Sequence, residues 1–197
     1  MDTIRWFKAR AKAFLKATSS DPKAQGRFAA VWREAEPPSL QRAQHVVAVE
    51  AGFPNWKGLL DAAELERSVA VVMAEEPLLN DFGIGLYDGH RRKPREERQR
   101  IFAKDRRDLR SNLDDVEWTV DWLAANIAPI KTINRRRSSY GLKHIAEKQS
   151  PRGYITNGAF IAAAMIAGYA YTIPLGSANV HFGMSERSIK AAARQAR

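Results

Sequence analysis

The chain has 197 residues, no cysteine, a hydrophobic fraction of 45% and a formal net charge of +10. The missing cysteines exclude disulfides, iron–sulfur clusters and cysteine-based zinc sites, and the apolar fraction excludes a disordered chain. The charge is segregated: residues 61–130 carry 11 basic and 15 acidic side chains, whereas residues 131–197 carry 11 and 2. A basic C-terminal third beside an acidic middle predicts a surface that faces a polyanion.

Residues 2–18 show helical periodicity, with Ile4, Phe7, Ala11, Phe14 and Leu15 on one stripe. Lysines and arginines interrupt this stretch, so it is not a signal peptide. Pro22 suits the first turn of a second helix, with Phe28, Val31, Trp32 and Ala35 as its apolar face and Pro37 and Pro38 as its stop. Ser39 is the expected N-cap of a third helix. Gly52 falls where a left-handed C-terminal residue is wanted, and Phe53 can fold back behind it. Asn55 is the expected cap of one further helix running from Trp56 to Pro77.

The run Leu40, Ala43, Gln44, Ala48, Gly52, Phe53, Trp56 and Leu59 is similar to a small helical module of bacterial proteins, the glyoxalase-related domain and the helical segment that precedes some ankyrin repeats. The likeness covers about residues 5–62. It implies a compact helical unit and no activity, since no ankyrin repeat or glyoxalase metal motif follows.

Gly83, Gly85 and Gly89 mark a hinge ending in Arg91-Arg92-Lys93, with a short strand expected near Ile84–Tyr87. Residues 94–128 read as strongly helical. The first half interleaves both charge signs, a solvated face. The second half presents Val116, Trp118, Val120, Trp122, Leu123 and Ile127, a face that must pack on something and is expected to join the two halves of the chain. Ser138 or Ser139 caps the helix YGLKHIAEK, and Thr156 or Asn157 caps the alanine-rich helix up to Gly168. The stretch Ala159–Ile173 is shorter than the ~20 residues of a membrane span, so a buried core helix and no membrane partner are expected. A strand at Val180–Phe182 and a basic helix capped by Ser185 complete the chain. The expected fold is mainly α: a helical module over residues 1–76 and a helical, helix-turn-helix-like basic domain over 77–197, with at most a short β element.

The strongest candidate site lies at residues 135–144. Arg135, Arg136 and Arg137 precede a helix whose start offers the Ser138 and Ser139 hydroxyls. Tyr140, Lys143 and His144 follow, a combination suited to phosphate. The small residues of FIAAAMIAGY match the first helix of a helix-turn-helix, although Pro174 and Gly176 interrupt what should be the reading helix. Arg187, Lys190 and Arg194 of the last helix are then the candidates to face nucleic acid. The four histidines are not spaced as a local metal site. Asp81-Phe-Gly lacks the other kinase motifs and reads as chance, and Asp88-Gly-His90 is a weak acid–base candidate. No cofactor and no enzymatic activity are expected.

The segments SYGLKH, YITNGAFIAAAMIAGY and NVHFGMSERSIK resemble bacterial proteins of unassigned activity encoded on plasmids, phages and other mobile elements, over about residues 80–190. The resemblance implies a bacterial cytosolic setting and no mechanism. The leading expectation is a nucleic-acid-binding regulator or accessory factor with double-stranded DNA as partner. The alternative is a protein-binding inhibitor or adaptor using Trp6, Trp32, Trp56, Trp118 and Trp122 as anchors.

Overall fold

The computed structural model describes residues 2–32, 37–90 and 92–195. Ala35 of the expected second helix and Arg91 of the basic run lie outside them. The chain divides into two compact units, Met1–Ala74 and Glu75–Arg197.

The first unit comprises α1 (Thr3–Ala17), α2 (Pro22–Val31), α3 (Leu40–Glu50), α4 (Trp56–Asp61) and α5 (Glu64–Glu75). Its starts follow the capping residues in the sequence. Asp2, Asp21, Ser39 and Asn55 each accept a backbone N–H of the first turn, and Pro22 opens α2. At the end of α3 the Phe53 N–H reaches Ala48 O (2.9 Å) and the Gly52 N–H reaches Val49 O (2.8 Å). Gly52 sits at φ 83°, the left-handed residue this closure needs. Phe7, Phe14, Phe28, Val46, Phe53 and Leu59 form the buried centre.

The single helix expected after Asn55 is two helices. Ala62 is extended, at ψ 155°, and no glycine or proline announces the break. Arg67 occupies the gap, donating to the carbonyls of Ala62 and Leu60 and to Thr3 Oγ1 at 3.1 Å. The two carbonyl bonds satisfy groups that a continuous helix would have used internally, and the Thr3 bond fixes the guanidinium to α1.

The second unit comprises the antiparallel pair β1 (Leu79–Asn80) and β2 (Gly83–Ile84), a short 3₁₀ turn at Asp88–His90, α6 (Arg95–Ser111), α7 (Leu113–Asn126), α8 (Ser139–Glu147), α9 (Asn157–Ile166), the antiparallel pair β3 (Tyr171–Thr172) and β4 (His181–Phe182), and α10 (Glu186–Gln195). The fold is mainly α with two short hairpins, as its hydrophobic periodicity predicts. The expected continuous helix over 94–128 breaks at Asn112 (φ −89°, ψ 45°) into α6 and α7.

Helix α9 is the centre of this unit. Asn157 through Ala164 are all buried, and Ala159 to Ala164 are completely so. A helix apolar on every side belongs in a core, and its alanines let neighbouring backbones approach closely. The tryptophan-bearing face of α7 packs on α9, so its partner lies within the same unit. Trp122 also donates to Gln149 Oε1 at 3.1 Å. Helix α10 packs on α7 and α8, and the β3–β4 hairpin separates it from α9 in the chain. Among the described residues no helix is long and apolar enough to cross a membrane.

Candidate functional site

The loop from Ile130 to Ser138 is stitched to the β4–α10 segment. Ile130 N–H donates to Gly183 O (2.8 Å) and Asn134 N–H to Phe182 O (2.9 Å), and Pro129 forms a β-bridge with Met184. A Cβ on Gly183 would lie 2.4 Å from Ile130 O, so only glycine allows this approach. The Asn134 amide donates to Met184 O (3.2 Å) and to Glu186 (3.1 Å). Arg137 closes the loop with a forked pair: Nη2 reaches Glu186 Oε1 at 2.7 Å and Nε lies 3.2 Å from both carboxylate oxygens. The His181 ring donates to Arg137 O at 2.9 Å.

This geometry separates the sequence-predicted residues into two groups. Arg135, Arg136, Arg187, Lys190 and Arg194 are exposed, and among the described residues none forms an ion pair. The clasp from Arg137 to Glu186 brings the loop carrying the first two to the start of the helix carrying the other three. Tyr140 is exposed and its ring meets His144 edge-on at 4.5 Å.

The second group is engaged in internal contacts, although only Ser139 and Lys143 are buried, Arg137 and Ser138 are half-buried and His144 is exposed. Arg137 is committed to Glu186. Ser138 is the N-cap of α8, accepting Gly141 N–H. Ser139 is fully buried, and its Oγ accepts Val180 N–H at 3.1 Å. Lys143 is only 1% exposed, and its ammonium sits 2.5 Å from Glu147 Oε1, over the rings of Tyr140 (5.1 Å) and Tyr154 (4.5 Å). His144 pairs with the other oxygen of Glu147. Burial therefore corrects the expectation that Ser139 and Lys143 meet a phosphate at the surface, because the Ser139 hydroxyl holds α8 to Val180 and the Lys143 ammonium is spent on Glu147 of the same helix and on the two rings.

Two carboxylates organise this region. Hydrogen bonds from Arg137 and Asn134 hold the Glu186 carboxyl down at about 2. Burial alone would raise Glu147, but bonds from Lys143, Ile155 N–H and His144 outweigh it and hold Glu147 below the usual carboxylate range. A depressed carboxyl contributes stability that is present above its unfolded value near 4.5 and is lost as pH falls toward about 2. Urea melts of Glu186→Gln and the wild-type protein are accordingly expected to differ at pH 6 and to converge as pH drops from 4.5 toward 2. A difference independent of pH would show that the clasp adds no ionic stability.

Beside α8 lies a cavity of about 790 Å³. Its walls include Asp81 from the β1–β2 turn, Asp105 and Asp108 from α6, His90, Tyr154 and Asn157. The turn is pinned by Asp81 N–H to Asp105 O and by Gly158 N–H to Asp81 O, both 3.0 Å, and by the Thr156 hydroxyl donating to Asp81 Oδ1 at 2.8 Å. Burial raises both Asp81 and Asp105, and the neighbouring carboxylates add to the effect. Among the described residues, no group of three or more His, Cys, Asp or Glu side chains is placed to hold a metal ion.

Sequence reasoning did not find this cavity. Asp81 reads as a chance tripeptide, and Asp105 and Asp108 as part of a solvated helical face. The one local signal was the glycine hinge at 83–89. A Cβ on Gly83 would lie 2.5 Å from Ala178 O, a close approach that marks a packed turn. None of the tryptophans proposed as partner anchors is among the exposed large hydrophobic residues.

No family model, no curated protein and no solved structure matches the chain.

Proposed function

We propose that the Glu75–Arg197 unit binds nucleic acid, with double-stranded DNA as the first candidate, through the face formed by the 131–137 loop and α10. One observation carries the reading. The only acidic residues of the last 67 positions, Glu147 and Glu186, are both consumed by internal pairs. Exposed Lys131, Arg135, Arg136, Arg187, Lys190 and Arg194 therefore add their charges with no carboxylate of that segment free to offset them.

The chain order offers support by analogy alone. Helix α7, a bridge at Pro129, helices α8 and α9, the β3–β4 hairpin and the bridge partner Met184 follow the element order of a winged helix-turn-helix. The third helix of that order usually enters the major groove, but here α9 is buried, so the contacts fall to the loop and α10. The mobile-element setting rests on the sequence resemblance, and a role as regulator or accessory factor belongs to the same proposal.

The test is binding to a labelled random duplex across a salt series. Each phosphate contact contributes about 0.9 to the slope of log affinity against log salt. Alanine at Arg135, Arg136, Arg187 and Lys190 together is expected to flatten the slope by about 3–4 and weaken binding by roughly three orders of magnitude at 0.1 M salt. Undetectable binding of the wild-type protein at low salt would refute the proposal and favour a protein partner for the basic face.

A further inference from the structure

The cavity beside α8 has a charge opposite to that of the protein as a whole. We propose that it binds an organic cation carrying N–H donors, an alkylammonium or guanidinium group, held between Asp105, Asp81 and the side-chain carbonyl of Asn157.

Three independent observations lead there. The first is an unanswered acceptor. Asn157 lines the cavity and is 6% exposed, and its Oδ1 is buried with no hydrogen-bond partner among the described residues. The orientation of the amide is not arbitrary. Its Nδ2 lies 3.2 Å from the backbone carbonyl of Ala178, which can only accept, so the nitrogen must face it and the oxygen must face away; the same nitrogen reaches Asn179 Oδ1 at 3.1 Å. The Gly83 backbone presses against the same nitrogen: a Cβ there would come within 2.6 Å of it. A buried carbonyl without a donor costs about 1–3 kcal/mol, which a ligand N–H would recover.

The second is unmatched charge. Three carboxylates, Asp81, Asp105 and Asp108, line the cavity. The two lysines that also line it are already paired, Lys104 with Asp108 and Lys143 with Glu147, each at 2.5 Å. Asp81 and Asp105 have no ion-pair partner among the described residues. Among the described residues, the hydrogen bonds that the Asp81 carboxylate accepts come from neutral donors, the Thr156 hydroxyl and the Asn112 side chain. A bound cation would relieve the burial that raises both carboxyls.

The third is the wall itself. Tyr140 and Tyr154 already enclose the Lys143 ammonium at 5.1 and 4.5 Å, a geometry that stabilises cations over ring faces. Phe82 and Tyr87, which meet edge to face at 5.5 Å, also line the cavity and add apolar surface for the stem of an alkyl amine. Acidic groups, an open carbonyl and aromatic rings together suit an organic cation. They repel a phosphate.

The proposal does not depend on nucleic-acid binding, because the titration contains none. Agmatine, which carries a guanidinium at one end and an ammonium at the other, is titrated into the full chain by calorimetry at 0.15 M NaCl. The peptide acetyl-Gly-Arg-Gly-amide is titrated in parallel. Saturable binding at a single site is expected. Asp105→Asn keeps the shape of the side chain and is expected to weaken binding at least about tenfold, the loss of one charged hydrogen bond. Asp121→Asn, on the exposed side of α7, removes the same charge elsewhere and is expected to leave binding unchanged. Tighter binding of the peptide than of agmatine would identify the natural cation as an arginine side chain of a partner, and the reverse as a free amine. Absence of saturable heat with both probes, or equal losses in the Asp105 and Asp121 variants, overturns the proposal.

Discussion

Glu147→Ala is expected to destabilise the Glu75–Arg197 unit by about 3–5 kcal/mol, the usual consequence of leaving a buried charge without its partner. The Lys143 side chain is 2% exposed and Glu147 is 13% exposed, so neither is screened by water. Alanine would strand the ammonium between two tyrosine rings. It would also remove the acceptor of Ile155 N–H (3.2 Å) and the partner of His144. The double variant Lys143→Met, Glu147→Leu separates the charge effect from general damage. With both charges gone, only the Ile155 N–H still lacks its acceptor, a cost of about 1–3 kcal/mol, and most of the loss in the single variant is expected to be recovered. Chemical denaturation of the three proteins checks this. A loss below about 1 kcal/mol in the single variant would mean that Lys143 swings out to water and that the pair does not anchor α8.

Gly158→Ala is expected to cost about 3 kcal/mol or more, against the ordinary preference of a helix for alanine over glycine. Gly158 lies in the first turn of α9, where a Cβ would sit 2.0 Å from Asn80 O and 2.7 Å from Asp81 Cα. These are backbone atoms of a hairpin that Asp105 and Thr156 already pin, so they cannot yield as a flexible side chain would. Relief requires α9 to withdraw from the turn, which breaks the Gly158–Asp81 and Thr156–Asp81 bonds and opens the cavity. Gly26 in α2 provides the contrast: nothing lies within 4 Å of its added Cβ, and alanine there is expected to stabilise by about 0.5–1 kcal/mol. Thermal melts of both variants measure the difference. Stabilisation by both would show that helix propensity alone governs Gly158 and that the hairpin does not seal α9.

The two variants also bear on what a reader of the sequence can and cannot see. Helix starts are legible because a cap acts over two or three residues. Ser39 and Asn55 accept the N–H groups that their positions predict, and of the paired candidates Ser138 and Thr156 are the caps. The glycine closures at Gly52 and Gly168 are local for the same reason, with φ 83° and 80°. The helix breaks at Ala62 and Asn112 were not legible. Arg67, held to Thr3 of α1, caps the first with its side chain, and α7 turns at the second to lay its tryptophan face on α9.

The candidate site divides along the same line. Amino-acid composition by itself determined that the last third is strongly basic, that α9 is apolar on every side and that Arg135 to Lys143 surround a helix start. Only the tertiary structure decided which of those cations remain outside. Arg137 is withdrawn by Glu186, 49 residues away, and Lys143 by the collapse of Tyr154 and Glu147 around it. The cavity is the extreme case, since Asp81, Asp105 and Asn157 come from a turn and two helices. Caps and periodicity follow from interactions within one or two helical turns, which the order of residues states directly. The ionic partner and the burial of a side chain depend on which distant segments pack against it, and that is set by the packing of whole helices.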